Sequence, residues 1–364
     1  MNRRNLVVTA PGEIELAVEP LPEVTEGTLL LDTLTTGLSA GTELTFLKGD
    51  NPALTGGLDP ELGLFSTSAA PPAYPVRRLG YMEVARVAES RTPAFAVGDL
   101  VATAYGHATA HVSDPVREHV VPLPDDVDPV LGVYVAHLGP ICANGLLHAA
   151  VDAVGPAATG LGDGVRGRKV LVTGAGTIGL LTALFAREHG AQEVAVVDAD
   201  PRRRALAERL GLLGLDADSD PARTLKTRWR HGAADHGADV VFQCRGRSAA
   251  LATALRATRP QGTVVDLAFY TEAATDLYLG NEFHHNGLTV RCAQIGRVPR
   301  GAAGLWDRHR LSAETIALLR ACGQEIREHL VTDVVPLEQA PVLMTELAAR
   351  ERHVLSAVFT VDGR

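Results

Sequence analysis

The chain has 364 residues, 46% hydrophobic and 21% charged, with a formal net charge of −9. That length and apolar content favour two domains with sizeable cores. Lys and Arg are dispersed apart from the short run Arg202-Arg203-Arg204, which argues against nucleic acid or a membrane surface as a partner. The N-terminal "MNRRNLVVTAPGEIEL" has too short an apolar run for a secretory leader, and no later stretch reaches about 18 uninterrupted apolar residues, so a cytoplasmic protein is expected. Cys142, Cys244, Cys292 and Cys322 form no CxxC pair and read as small buried hydrophobes.

In the first third, "LVVTA", "TLLLDTLTT", "MEVARVAE", "LVATAY" and "EHVVPLP" read as short strands between turns, an all-β, barrel-like pattern. Among them "GLSAGTE", Gly37 to Glu43, breaks the strand alternation and reads as a polar loop. The segment "LTGGLDPELGLFSTSAAPPAYP" has no periodicity and reads as an ordered lobe or a lid. From Val135 the character changes: a helix-like "VAHLGPICANGLLHAAVDAV", a Gly-rich hinge, then "KVLVTGAG", "TIGLLTALFAREHG", "EVAVVDAD", "RRRALAERLGL", "ADVVFQC", "SAALATALRAT" and "GTVVDLAFY". Strand and helix alternating at this spacing predict a doubly wound parallel sheet in an α/β chain. Two helices and a strand follow and return to the first domain. The division expected is therefore 1–139, 140–298 and a return over 299–364.

Gly174-Ala175-Gly176-Thr177-Ile178-Gly179 follows a strand and opens a helix, and Asp198 ends the next strand, the full context of the dinucleotide fingerprint. Gly174 permits the tight turn, Gly176 lets the backbone approach a pyrophosphate, and Gly179 lets helix and strand pack, while the helix N-terminus, opened by Thr177 and Ile178, offers N–H donors. Asp198 favours NAD, since a carboxylate there bonds the ribose 2′-OH and repels a 2′-phosphate. Arg203 and its two neighbours are the opposing feature, because an arginine there can reach a phosphate; otherwise they form a solvated helix face.

With a β-rich first half, a Gly-rich hinge, a dinucleotide-binding half and a helical return, the chain resembles the medium-chain dehydrogenase/reductase superfamily of the zinc alcohol dehydrogenase type. The resemblance rests on the fingerprint and on "GLSAGTE", "GYMEVARV", "VGDLVAT", "HLGPICANGL" and "VVPLEQAPVLMTELAAR". Within it, "SAGTE" and "GYMEVARV" look most like the bacteriochlorophyllide dehydrogenase branch. It implies a GroES-like β-rich catalytic domain, a Rossmann domain, a cleft between them, and a homodimer or homotetramer.

The departures bear on chemistry. In zinc members the metal sits on a Cys in the loop matching "GLSAGTE", on the His of a GHE motif, and on a Cys or carboxylate near "HLGPICANGL". Here those places hold Ser39 or Ala40, then Tyr81 within Gly80-Tyr81-Met82, then Ala136 or Pro140. None is a zinc ligand, His137 and Cys142 are out of register, and the four-Cys lobe of many relatives is missing, so no zinc is expected. Tyr81 would then point at the vacated place and donate to a carbonyl oxygen, or else merely fill space. Thr42 and Glu43 match the proton-relay hydroxyl and the carboxylate of the zinc enzymes; Glu43 would serve as acid or base, or be a loop carboxylate bonded to backbone amides.

His107 is a candidate substrate contact, with His111 nearby. His284, its neighbour His285, and Gln294 flank a late strand whose end faces the nicotinamide in the superfamily. Asn144 lies where relatives place a Thr that holds that ring. The function expected is a zinc-independent, NAD-dependent dehydrogenase acting on a secondary alcohol, or the matching ketone, of a polar small molecule in specialised metabolism. Its rivals are an NADPH-dependent enoyl or quinone reductase and a non-catalytic NAD(H)-binding protein.

Overall fold

The computed structural model describes residues 2–67 and 72–361. They divide into two compact units, one made of the described residues up to 137 with 331–361 and the other of 138–330.

The first unit is β-rich. Its seven-stranded sheet runs Val331–Pro336, Ser356–Thr360, Leu29–Leu38, Glu83–Ser90, Leu100–Thr103 and Val120–Pro122, with Ala110–Ser113 also pairing Leu29–Leu38. All pairings are antiparallel except that of Val331–Pro336 with Ser356–Thr360. Asn2–Ala10 and Glu13–Pro20 form a separate ribbon. Leu6, Val8, Leu38, Leu47, Leu79, Met344 and Phe359 pack into one core under these strands, and Leu29, Leu31, Ala85, Val87 and Val101 into another.

"GLSAGTE" is a helix start. Leu29–Leu38 ends there and a helix, Ala40–Lys48, begins at once. Ser39 sits at the cap position with its amide donating to Glu43 Oε1 at 2.7 Å, and Gly49 at φ +81 closes the far end. The helix was hidden because its polar first turn bonds back on itself, which reads locally as a turn. In the unpatterned segment, Gly56–Leu58 pairs antiparallel with Phe65–Thr67 around a turn held by Asp59; residues 68–71 lie outside the described chain.

The second unit is a six-stranded parallel sheet in the order Leu213–Asp216, Glu193–Asp198, Lys169–Thr173, Ala238–Gln243, Thr258–Asp266, Thr289–Cys292. Leu171, Val241, Val264 and Trp229 centre its core. The helix Arg308–His329 belongs here and not to the returning segment, so the return begins at Val331 rather than at 299. The reason is close packing: a Cβ on Gly139 of the helix Leu138–Val154 would meet Thr315 at 2.2 Å. Among the described residues no helix is long and apolar enough to cross a membrane.

Candidate active site

In the first unit the candidates His107, Glu43 and Tyr81 join one hydrogen-bonded chain through Ser39. Glu43, in the first turn of Ala40–Lys48, places Oε2 2.7 Å from His107 Nε2, and His107 Nδ1 lies 2.7 Å from Thr36 Oγ1. Glu43 is 1% exposed and His107 0%. The imidazole tautomer protonated at Nε2 satisfies both contacts, with Thr36 donating to Nδ1. Gly80 makes room: its φ is +92, and a Cβ there would stand 2.9 Å from His107 Nε2. His107 is therefore no substrate contact, because both ring nitrogens are used inside the unit. Glu43 likewise has both oxygens engaged and does not face a substrate directly.

Tyr81 is half-buried, and its hydroxyl donates to Ser39 Oγ. The ring of His137 packs against it at 4.5 Å. Burial and then the Glu43 charge push the phenol above its ordinary range, against hydrogen bonds with Ser39 and Thr42. Thr42 is half-buried beside it, its carbonyl accepting from Thr45 Oγ1 at 2.5 Å. Thr36 and Ser39 were not singled out as partners in this chain; only the strand-to-helix turn brings them to His107 and Tyr81.

These donors do not fit zinc. Thiolate, free imidazole or carboxylate atoms are required, whereas Glu43 and His107 have committed theirs to each other, Ser39 and Thr36. Among the described residues no group of three His, Cys, Asp or Glu is arranged to hold a metal ion.

His111 belongs to a second buried pair. Its Nδ1 is 3.3 Å from Glu83 Oε1, and its ring stacks on Tyr105 at 3.7 Å. Glu83 accepts from Thr33 at 2.6 Å and Thr103 at 2.5 Å. Burial drives this carboxyl upward, but His111 and the two hydroxyls outweigh it and hold it below the usual range.

In the second unit the Gly-rich turn leaves the carboxyl end of Lys169–Thr173 and enters the helix Thr177–Glu188. Gly174 has φ +99, and its amide donates to Val197 O at 2.8 Å. A Cβ on Gly179 would lie 1.7 Å from Gly174 O, so only glycine fits there. Gly176 differs: its φ of −78 suits any residue, and nothing lies within 4 Å of a Cβ placed on it. No internal packing requires that glycine; the space it leaves fits a closely approaching pyrophosphate. Thr177 and Ile178 form the first helical turn.

Asp198, 4% exposed, accepts from the Ala175 amide and the Asp200 amide, each at 2.8 Å. Arg203 Nη1 is 3.9 Å from Asp198 Oδ2, Arg202 is held by Asp200, and Arg204 by Asp216 at 2.9 Å. Asp198 is thus turned toward the Gly-rich turn and the arginines are tied to neighbouring carboxylates. Asn144, fully buried, donates to the carbonyls of Ala293, Gln294 and Arg297 at 3.3 to 3.4 Å. Its amide hydrogens are spent on this loop, so only Oδ1 is left for a ligand. The Gln294 side chain is exposed and accepts from the Gly296 amide at 2.7 Å.

His284 does not join the site. It lies on a short exposed helix, Glu282–His285, that precedes Thr289–Cys292, with the His285 ring packed edge-on at 5.4 Å. In a parallel sheet that is the amino end, opposite the carboxyl ends that carry Gly174 and Asp198.

Residues 177–307 match the family model described as zinc-binding dehydrogenase. Over 99% of this chain, the fold superposes on the alcohol dehydrogenase of Thermus sp. ATN1 with a TM-score of 0.75 at 20% identity, covering 100% of that chain. Residues 177–307 thus carry the likeness to zinc-binding dehydrogenases, and the chain has the fold of that alcohol dehydrogenase. A second structure, of a Sinorhizobium meliloti protein described as a zinc-binding dehydrogenase and bound to NADP, superposes with a TM-score of 0.75 at 19% identity, over 99% of each chain. In sequence the chain is 30% identical over 178 residues to D-guloside 3-dehydrogenase of Escherichia coli K12, 47% of this chain and 48% of that one. It is 38% identical over 103 residues to L-idonate 5-dehydrogenase of Vitis vinifera, 26% of each. The chain thus spans about half or less of the length of the curated relatives it matches.

Proposed function

We propose that this protein is a zinc-independent, NAD-dependent dehydrogenase that oxidises a secondary alcohol, or reduces the matching ketone, on a polar small molecule. The observation that carries the reading is the Tyr81 hydroxyl bonded to Ser39, standing where the family resemblance places metal ligands. The phenol held there turns its O–H from Ser39 to a carbonyl oxygen and gives up the proton as the O–H bond breaks, leaving a phenolate to which the Ser39 hydroxyl can donate, and it takes the proton back in the oxidative direction. The nicotinamide dinucleotide, when bound, supplies or accepts the hydride. Gly174, Gly176 and Gly179 would cradle its pyrophosphate, and the orientation of Asp198 supports NAD over NADP. The idonate and guloside in the relatives' names support a hydroxyl-rich substrate. A homodimer or homotetramer is part of the same reading, and Thr289–Cys292 leaves one exposed sheet edge for it.

The test is Tyr81→Phe, assayed with NAD(H) against panels of polyols, secondary alcohols and ketones. Turnover should fall by about 10²- to 10⁴-fold while NADH binding, followed by fluorescence, is retained. A wild-type protein that binds NADH yet turns over nothing would point to a non-catalytic binder. Reduction of enones with NADPH, and of no ketone, would point to an alkene reductase.

A further inference from the structure

Glu43 and His107 are out of reach of substrate yet connect to Tyr81. The Ser39 amide donates to Glu43 Oε1 and the Ser39 hydroxyl accepts from Tyr81, so one residue is gripped from both sides. Glu43 is fixed in turn by His107, and His107 by Thr36 and by its own amide, which donates to Leu79 O at 2.8 Å. With Glu43 1% and His107 0% exposed, water neither competes for these bonds nor screens the carboxylate.

We propose that Glu43 and His107 are a positioning pair for Tyr81: His107 holds the Glu43 carboxylate, which fixes Ser39 and keeps the proton on the phenol that Ser39 orients. This rests on the reading of Tyr81 as the proton-transfer group. A carboxylate beside the ring disfavours a phenolate, and the phenol is raised by burial first and by Glu43 second. The groups facing Tyr81 are Glu43, the hydroxyls of Ser39 and Thr42, and the His137 ring. The pair therefore sets when Tyr81 is a donor, without touching the substrate.

The experiment is a pH titration of the full chain labelled with ¹³Cζ-tyrosine, free of substrate and dinucleotide, with Tyr81→Phe identifying the Tyr81 signal. Glu43→Gln should move the Tyr81 titration to lower pH by at least about half a unit, because the charge opposing the phenolate is gone. His107→Phe should also move it, since the carboxylate that fixes Ser39 loses its partner, and His107→Gln, which restores a donor, should bring it back. A Tyr81 titration unmoved in a folded Glu43→Gln protein overturns the proposal; where that variant does not fold, an unmoved titration in His107→Phe does so. Because no turnover is measured, a wild-type chain inactive on every alcohol would sink the proposed activity and leave this result standing.

Discussion

Glu43 Oε2 and His107 Nε2 are 2.7 Å apart, although 64 residues separate them in sequence and neither side chain is more than 1% exposed. A buried carboxylate this close to an imidazole is costly to leave alone. Removing one partner of such a pair strands the other in a medium that solvates it poorly, and the loss exceeds that of a surface ion pair several-fold.

His107→Leu should destabilise the first unit by about 3–5 kcal/mol, read as a lower urea midpoint. Adding Glu43→Leu should recover part of the loss, since the stranded carboxylate is then gone. A double variant less stable than the single one by the full cost of a second independent site would show that the two residues do not act as a pair.

Gly176 and Gly179 should behave oppositely. Gly179→Ala forces a Cβ to 1.7 Å from a carbonyl oxygen and should unfold the second unit or cost more than about 3 kcal/mol. Gly176→Val meets no atom of the chain, so stability should stay within about 1 kcal/mol while NADH affinity falls at least tenfold. Fluorescence titration and thermal melts on the same samples check both; retained affinity in Gly176→Val would remove the pyrophosphate assignment.

Asp198→Ala should raise the KM for NAD(H) by at least about tenfold and leave that for NADP(H) less affected, because the ribose partner is lost and the repulsion of a 2′-phosphate with it. Some loss of stability is expected too, as the Ala175 and Asp200 amides lose their acceptor. Equal KM values for NAD(H) in variant and parent would remove Asp198 from cofactor recognition.

His148, on the helix Leu138–Val154, is pulled down to about 4 by burial and by the Arg291 charge. The folded state therefore binds this proton less readily than the unfolded chain does. The resulting stability is complete above the ordinary histidine value near 6.5 and is lost as pH falls from there toward 4, to a total of about 3 kcal/mol. His148→Leu should flatten the stability curve across that window in denaturant titrations at several pH values; an unchanged slope would mean that His148 is already protonated when folded.

Metal analysis of tag-free protein should find well under one zinc per chain. The reason is chemical: of the groups near Tyr81 able to ligate, Glu43 and His107 have their atoms committed to each other and to Ser39 and Thr36, and His137 alone does not make a site. About one zinc per chain would require that network to be rebuilt.

The Rossmann half was legible because its signals are local. An apolar strand, a Gly-rich turn, a helix and an acidic strand end follow within some thirty residues, and each answers a short-range steric or hydrogen-bonding demand. Gly174 and Gly179 do in the structure what their positions implied: a left-handed turn, and a contact too close for any Cβ. The place of Arg308–His329 was less legible, since what assigns a helix to a unit is the partner it packs on, and the Gly139–Thr315 approach joins residues far apart in sequence. His284 failed for a related reason: closeness to a strand in sequence does not say which end of the sheet a residue occupies.

By itself the sequence determined that a dinucleotide fingerprint is present, that the Tyr81 position lacks a metal ligand, and that hydroxyls and a carboxylate cluster after the strand Leu29–Leu38. Only the tertiary structure decided what that cluster does. A helix starting at Ala40 turns Glu43 inward, and Gly80 at φ +92 admits the His107 ring that meets it. A carboxylate chooses its partner by what surrounds it once water is excluded, and that depends on contacts between segments that no local pattern encodes.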